Sequence, residues 1–171
     1  HEVVATNGTR SGEGWIVIVS SGYNNGGSGD GRGYLYVLNA RTGALIRAIG
    51  TGVGSSTDPS GLGQISAWVD DDMTDSTVRW VYGGDLQGNL WRFDLTAADP
   101  ANWTVTRLAT LTDPSGAAQP ITVAPELARI SAGTGTINVV AVGTGRYLGD
   151  SDVPDAPTAT TAATQRQSFY V

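Results

Sequence analysis

The chain has 171 residues, enough to bury a core, and sets 16 acidic side chains against 10 arginines and no lysine, a net charge of −6. That balance excludes a phosphate-backbone partner, which needs a basic face, and suits divalent cations and solubility. With no cysteine and a single histidine at position 1, disulfides, thiolate metal sites, a Ser-His-Asp triad and a histidine-ligated zinc are excluded from the segment.

No stretch of about twenty apolar residues exists to span a membrane as a helix. His1 stands where an initiator Met would, and no signal peptide is visible. The chain therefore reads as one segment, residues 1–171, excised from a larger protein. Its 24 Gly and 7 Pro imply many tight turns, while aromatic and β-branched runs favour strands.

In chain order, three stretches share one plan. The first is "WIVIVSSGYNN", a Gly-rich loop, then "GRGYLYVLNARTGALI". The second is "VRWVYGGDLQGNLWRFDL", and the third is "INVVAVGTGRYLGDSD" with "QSFYV". Each begins with a strand that ends on a glycine, at Gly22, Gly84 and Gly143, spaced by about 60 residues. Long loops at 24–32, 51–63 and 149–166 account for the wide spacing. In the first two, a second strand of period-2 character follows, "GYLYVLN" and "GNLWRFDL".

Asn39 to Gly43 and Gly88 supply the hairpin turns, and only "DLTAADPANW" suggests a single helical turn. The expected fold is all-β: a partial, quinoprotein-like β-propeller of about three antiparallel blades. A β-sandwich of similar hairpins is the alternative. Trp15, Trp80 and Trp91 are expected to pack between blades.

The strongest chemical pattern is "VDDDMTDSTV". Calcium wants several oxygens from a flexible loop with acids at alternating positions. Read from Asp71, the alternating positions are Asp71, Met73, Asp75, Thr77 and Arg79. Asp71 and Asp75 can ligate through carboxylates and Thr77 through its carbonyl, but Met73 cannot and Arg79 repels. Read from Asp70, they are Asp70, Asp72 and Thr74. Neither register is complete, so a solvated acidic turn before a strand competes with the cation loop.

Three weaker signals follow. Asn24, Asn25 and Asp30 in the first Gly-rich loop could line an anion nest or a plain hairpin. Asp150 and Asp152 form a second small acid cluster, and "DAPTATTAATQ" is a low-complexity loop. No carboxylate pair can be assigned to one cleft, so the sequence supports no acid-base catalysis.

"SGYNN", "GRGYLYVLNARTGALI", "PSGLGQISAWVD", "VYGGDLQGNLWRFDL", "QPITVAPEL" and "VGTGRYLGDSD…QSFY" occur in that order from Trp15 to Tyr170. Together they resemble the C-terminal propeller of the PilC/PilY-type proteins, the type IV pilus biogenesis factors and tip-associated adhesins. The resemblance implies a modified propeller of about seven blades. It implies no catalysis, and roles in pilus extension, twitching motility and attachment to host or abiotic surfaces. Implied partners are the minor pilins, and the implied location is the bacterial surface, at the pilus tip or outer membrane, reached through the periplasm.

The family's calcium loop, anchored on "VYGGD", falls on Asp71, Met73, Asp75, Thr77 and Arg79. Two of its acidic or amide positions are lost, so the resemblance implies a degenerate calcium loop, with Asp70 and Asp72 as alternates. Two other classes stay open. "LNARTGALIRAI" is similar to a quinoprotein dehydrogenase hairpin without its closing Trp, and an outer-membrane assembly scaffold also uses propeller blades.

Overall fold

The structure, a computed structural model, describes residues 14–23, 27–71, 73–153 and 164–171, with Asp70 described by its backbone alone. Asn24, Asn25, Asp72, His1 and residues 155–163 of the low-complexity loop lie outside the described residues.

Strands β1 (Ile16–Ser20), β2 (Tyr34–Asn39) and β3 (Leu45–Gly50) form the first antiparallel sheet. The second holds β4 (Ile65–Asp71), β5 (Asp75–Gly84), β6 (Asn89–Asp94) and β7 (Thr104–Thr110). The third holds β8 (Glu126–Ala132), β9 (Gly135–Gly143) and β10 (Phe169–Tyr170). Each is an up-and-down meander, the form of a propeller blade. The expected three-blade all-β architecture is present.

Local chemistry explains the turns. Asn39 Oδ1 accepts from the amides of Arg41 and Thr42, and Gly43 takes φ 72°, a left-handed value that glycine adopts without a Cβ penalty. The anticipated helical turn is a 3-10 turn at Pro100–Asn102, opened by Asp99, whose carboxylate accepts from the Ala101 amide.

Alternation of side chains then builds the blade faces. Ile16, Leu35, Val37 and Ile49 on one face of the first blade pack with Val81, Trp91 and Phe93 of the second. Leu90 on the opposite face of the second blade joins Val140 and Val142 of the third, around Ile121. Each interblade linker also plugs the rim between its sheets. The Leu62 amide donates to the Gly22 carbonyl, and the Ile121 amide donates to Asp85, one residue beyond Gly84. Leu62 and Ile121 are both fully buried. Close approach demands glycine at Gly84, where an added Cβ would lie 2.1 Å from the Ile121 side chain.

The tryptophans depart from expectation in one case. Trp91 is buried and Trp80 half-buried, but Trp15 is 59% exposed on the outward face of the first blade. That face has no neighbouring sheet among the described residues. Trp68 and Trp103, which periodicity did not single out, are buried instead.

Candidate functional site

The acidic segment is the hairpin between β4 and β5, with Asp71 and Asp75 cross-strand partners. Asp71 Oδ1 accepts from the amides of Met73 and Thr74, and Oδ2 accepts from the Thr74 hydroxyl at 2.7 Å. The Thr74 hydroxyl bond, with the Met73 amide, holds the Asp71 carboxyl below the ordinary aspartate range. Asp75 Oδ1 accepts from the Thr77 amide at 2.8 Å. The chain thus brings Asp71, Asp75 and Thr77 into one turn and uses both carboxylates as backbone caps. Met73 is 88% exposed and points away from any ligand role. Among the residues whose side chains are described, which leaves out Asp70 and Asp72, no three Asp, Glu or His side chains converge as a metal cage.

At the opposite ends of β4 and β5 sits a denser polar network that sequence reasoning passed over. Asp85, fully buried, accepts from the amides of Gln87 and Asn89, the Asn89 side-chain amide and Trp91 Nε1 at 2.8 Å. Burial pushes its carboxyl up, and these donors pull against the shift. The signal was in "GGDLQGNLW" itself: an aspartate after a Gly-Gly strand end, four residues before an asparagine. Tyr23 lies across Gly63 and donates to the Thr122 carbonyl, tying the first blade's loop to the third blade's entry. Burial raises the Tyr23 phenol.

The second acid cluster divides. Asp152 is buried and pairs with the Arg146 guanidinium at 2.5 Å, while its other oxygen accepts from the Leu148 amide. Burial pushes its carboxyl up, but the Leu148 amide and Arg146 outweigh that and hold it low. Asp150 opens the 3-10 turn Asp150–Asp152. Asp30 accepts from the Tyr34 hydroxyl at 2.5 Å and from the Arg32 amide, bonds that lower its carboxyl.

Two open grooves flank Gln165. One, of about 320 Å³, is lined by Thr122, Thr144, Arg146, Tyr147 and Gln167 among others; the second, about 480 Å³, includes Asp113, Ser115 and Arg166. Both are open troughs between linkers, with polar side chains set in a mostly apolar lining. The buried acids Asp85 and Asp152 hold backbone and linker in place.

Known proteins share this architecture over most of the chain. The family model described as the PilY1 beta-propeller domain matches residues 4–170. A type IV pilus biogenesis factor PilY1 homolog of Xylella fastidiosa is 36% identical, over 81% of this chain and 10% of the relative. The type IV pilus biogenesis factor PilY1 of Pseudomonas aeruginosa is 34% identical, over 81% of this chain and 13% of its own length. The crystal structure of the Pseudomonas aeruginosa PilY1 C-terminal domain superposes with a TM-score of 0.64 at 32% identity, covering 81% of this chain and 31% of that one. The chain therefore spans a small part of the curated relatives it matches.

Proposed function

The chain belongs to the PilY1 β-propeller family, and on that premise we propose that it is propeller blades of a type IV pilus biogenesis factor. It works at the cell surface by binding rather than by catalysis, supporting pilus assembly, twitching motility and attachment. The observation that carries this reading is the family match across 4–170. The minor pilins are the partners it proposes, and no helix among the described residues is long and apolar enough to cross a membrane.

The test is genetic. Deleting the segment from the full-length gene in its own bacterium is expected to abolish surface pili and twitching. Gly84→Val, which drives a side chain into Ile121, is expected to mimic the deletion. Normal piliation and twitching in the deletion strain would refute the proposal.

Calcium enters this reading as a weak ligand. Asp71 and Asp75 already cap the turn, and calcium asks for about six to eight oxygens. Calorimetric titration of the chain is expected to show millimolar binding or none. Micromolar binding lost in Asp75→Ala would show that the hairpin is a working site.

A further inference from the structure

We propose that Asn102, in the loop between β6 and β7, is an acceptor for an N-linked sugar. The inference goes beyond the pilus reading and is independent of it.

The loop carries Asn102-Trp103-Thr104, an asparagine with a hydroxyl residue two positions on and no proline between them. N-glycosylating transferases read that pattern: the carboxamide takes the sugar, and the hydroxyl residue is part of the recognised unit. Such a tripeptide often occurs by chance, and it is usable only where both side chains are open to an enzyme. A further Asn-x-Thr, Asn7-Gly8-Thr9, lies outside the described residues.

In this loop both are open. The Pro100–Asn102 turn gives way to extended backbone at Trp103, with φ −67° and ψ 139°. In an extended stretch, the residues on either side of a position share the face opposite to it. Trp103 is buried in the core between the first two blades, so Asn102 and Thr104 both face solvent. Other groups hold the loop in shape. The Asp99 carboxylate accepts from the Ala101 amide, Trp103 Nε1 donates to the Ala97 carbonyl at 2.9 Å, and Arg47 of β3 donates to the Ala101 carbonyl. Neither Asn102 nor Thr104 is spent on that task.

The other asparagines among the described residues are committed. Asn39 caps the β2–β3 turn, Asn89 is buried against Asp85, and Asn138 accepts from Arg129. Among the described residues, Asn102 is the asparagine whose carboxamide makes no hydrogen bond, and it alone has a hydroxyl residue two positions on. Two independent properties, the tripeptide and an idle exposed amide, therefore fall on one residue. In the transfer, Asn102 Nδ2 bonds to the anomeric carbon of a sugar phosphate donor, nucleotide-linked or lipid-linked. The bond from that carbon to the phosphate oxygen breaks, the phosphate leaves with the electron pair, and the carboxamide nitrogen gives up a proton.

Mass spectrometry of the full-length protein, purified from its own bacterium, tests this. Arg92 and Arg107 bracket a tryptic peptide, 93–107, in which Asn102 is the only asparagine. The peptide is expected to carry a sugar increment on Asn102, and a peptide found only unmodified overturns the proposal. Asn102→Gln and Thr104→Ala are each expected to abolish the increment, while Thr104→Ser keeps it. A merely structural role for the loop would leave the mass of this peptide untouched by any of the three; circular dichroism reports the fold in each. An increment that survives Asn102→Gln sits on a hydroxyl instead and overturns the assignment. An increment already present on newly made cytoplasmic chain supports the proposal with a nucleotide-linked donor, and one confined to surface protein supports it with a lipid-linked donor. Piliation is scored separately, so failure of the pilus reading leaves this result standing.

Discussion

The pentapeptide Thr-Asp-Pro-Ser-Gly occurs twice, at Thr57–Gly61 and at Thr112–Gly116, both times in a linker between blades. The two copies do different work. In the first, Ser60 is fully buried; its hydroxyl donates to the Val53 carbonyl at 2.8 Å and its carbonyl accepts from the Leu86 amide. Gly61 lies against the first blade's rim, and Asp58 accepts from the Gln87 side chain. In the second, Asp113 turns inward on its own loop, its Oδ1 accepting from the Ser115 hydroxyl and from the Ser115 and Ala117 amides. Ser115 and Gly116 face solvent.

The cause is the distance to the plug. Leu62 follows Gly61 immediately, so the first copy is drawn into the junction with it. Ile121 follows Gly116 after four residues, and Gln119 takes the buried place that Ser60 holds in the first linker. Identical local sequence adopts a junction role or a surface-turn role according to its offset from a buried apolar anchor.

Alanine at the two glycines should separate the roles most strongly. At Gly61 a Cβ would lie 2.4 Å from the Gly22 carbonyl oxygen and 2.7 Å from Tyr23 Cα, both backbone, at φ 62°. Gly61→Ala is expected to cost about 3 kcal/mol or more, from overlap added to left-handed strain. Gly116, at φ 87°, has nothing within 4 Å of its Cβ position, so Gly116→Ala should cost only about 1 kcal/mol. Urea denaturation measures both, and equal losses would contradict the assignment of roles.

The serines should differ less. Ser60→Ala leaves the part-buried Val53 carbonyl without its hydroxyl donor, a loss of about 1 kcal/mol. Ser115→Ala, on the surface, is expected within about 0.5 kcal/mol of the parent. Comparable losses at both positions would show that the second copy is buried in solution.

The smallest effect is one of pH. The Ser115 hydroxyl and the Gln165 side chain, with the Ala117 amide, hold the Asp113 carboxyl down at about 2, from an ordinary 3.8. A depressed carboxyl contributes its stability above the unfolded-state value and loses it as pH falls through the folded one. Asp113→Asn should therefore lower the melting temperature slightly above pH 3.8, and the difference should shrink between 3.8 and about 2. A difference that grows on acidification would reverse the sign of the linkage.

The family resemblance and the strand-turn repeat were legible because each is a local pattern. Alternating branched and aromatic residues set β1, β5 and β9, and a glycine that ends a strand needs only its own backbone to be recognised. The acid hairpin was half legible. The sequence named the aspartates and their spacing, but the direction of each carboxylate depends on which amides the turn presents to it. Asp85 left only a spacing signal in the sequence, because its importance comes from burial with Trp91 and Asn89, which only the folded β5–β6 hairpin creates.

By itself the sequence located β1, β2, β5, β6 and β9 to within a few residues, because φ/ψ preference, side-chain alternation and turn chemistry act over short stretches. Which face of a strand is covered needed the tertiary structure, because burial belongs to a pair of sheets. Trp15 and Trp68 illustrate the limit: both are aromatic strand-region residues, yet one is 59% exposed and the other 6%. Trp68 has β8 and Arg129 packed over it, while Trp15 lies on the outward face of the first blade, which has no neighbouring sheet among the described residues. The same reason separates the two copies of Thr-Asp-Pro-Ser-Gly: burial at Leu62 or Ile121 is a long-range contact, and it sets how each linker lies.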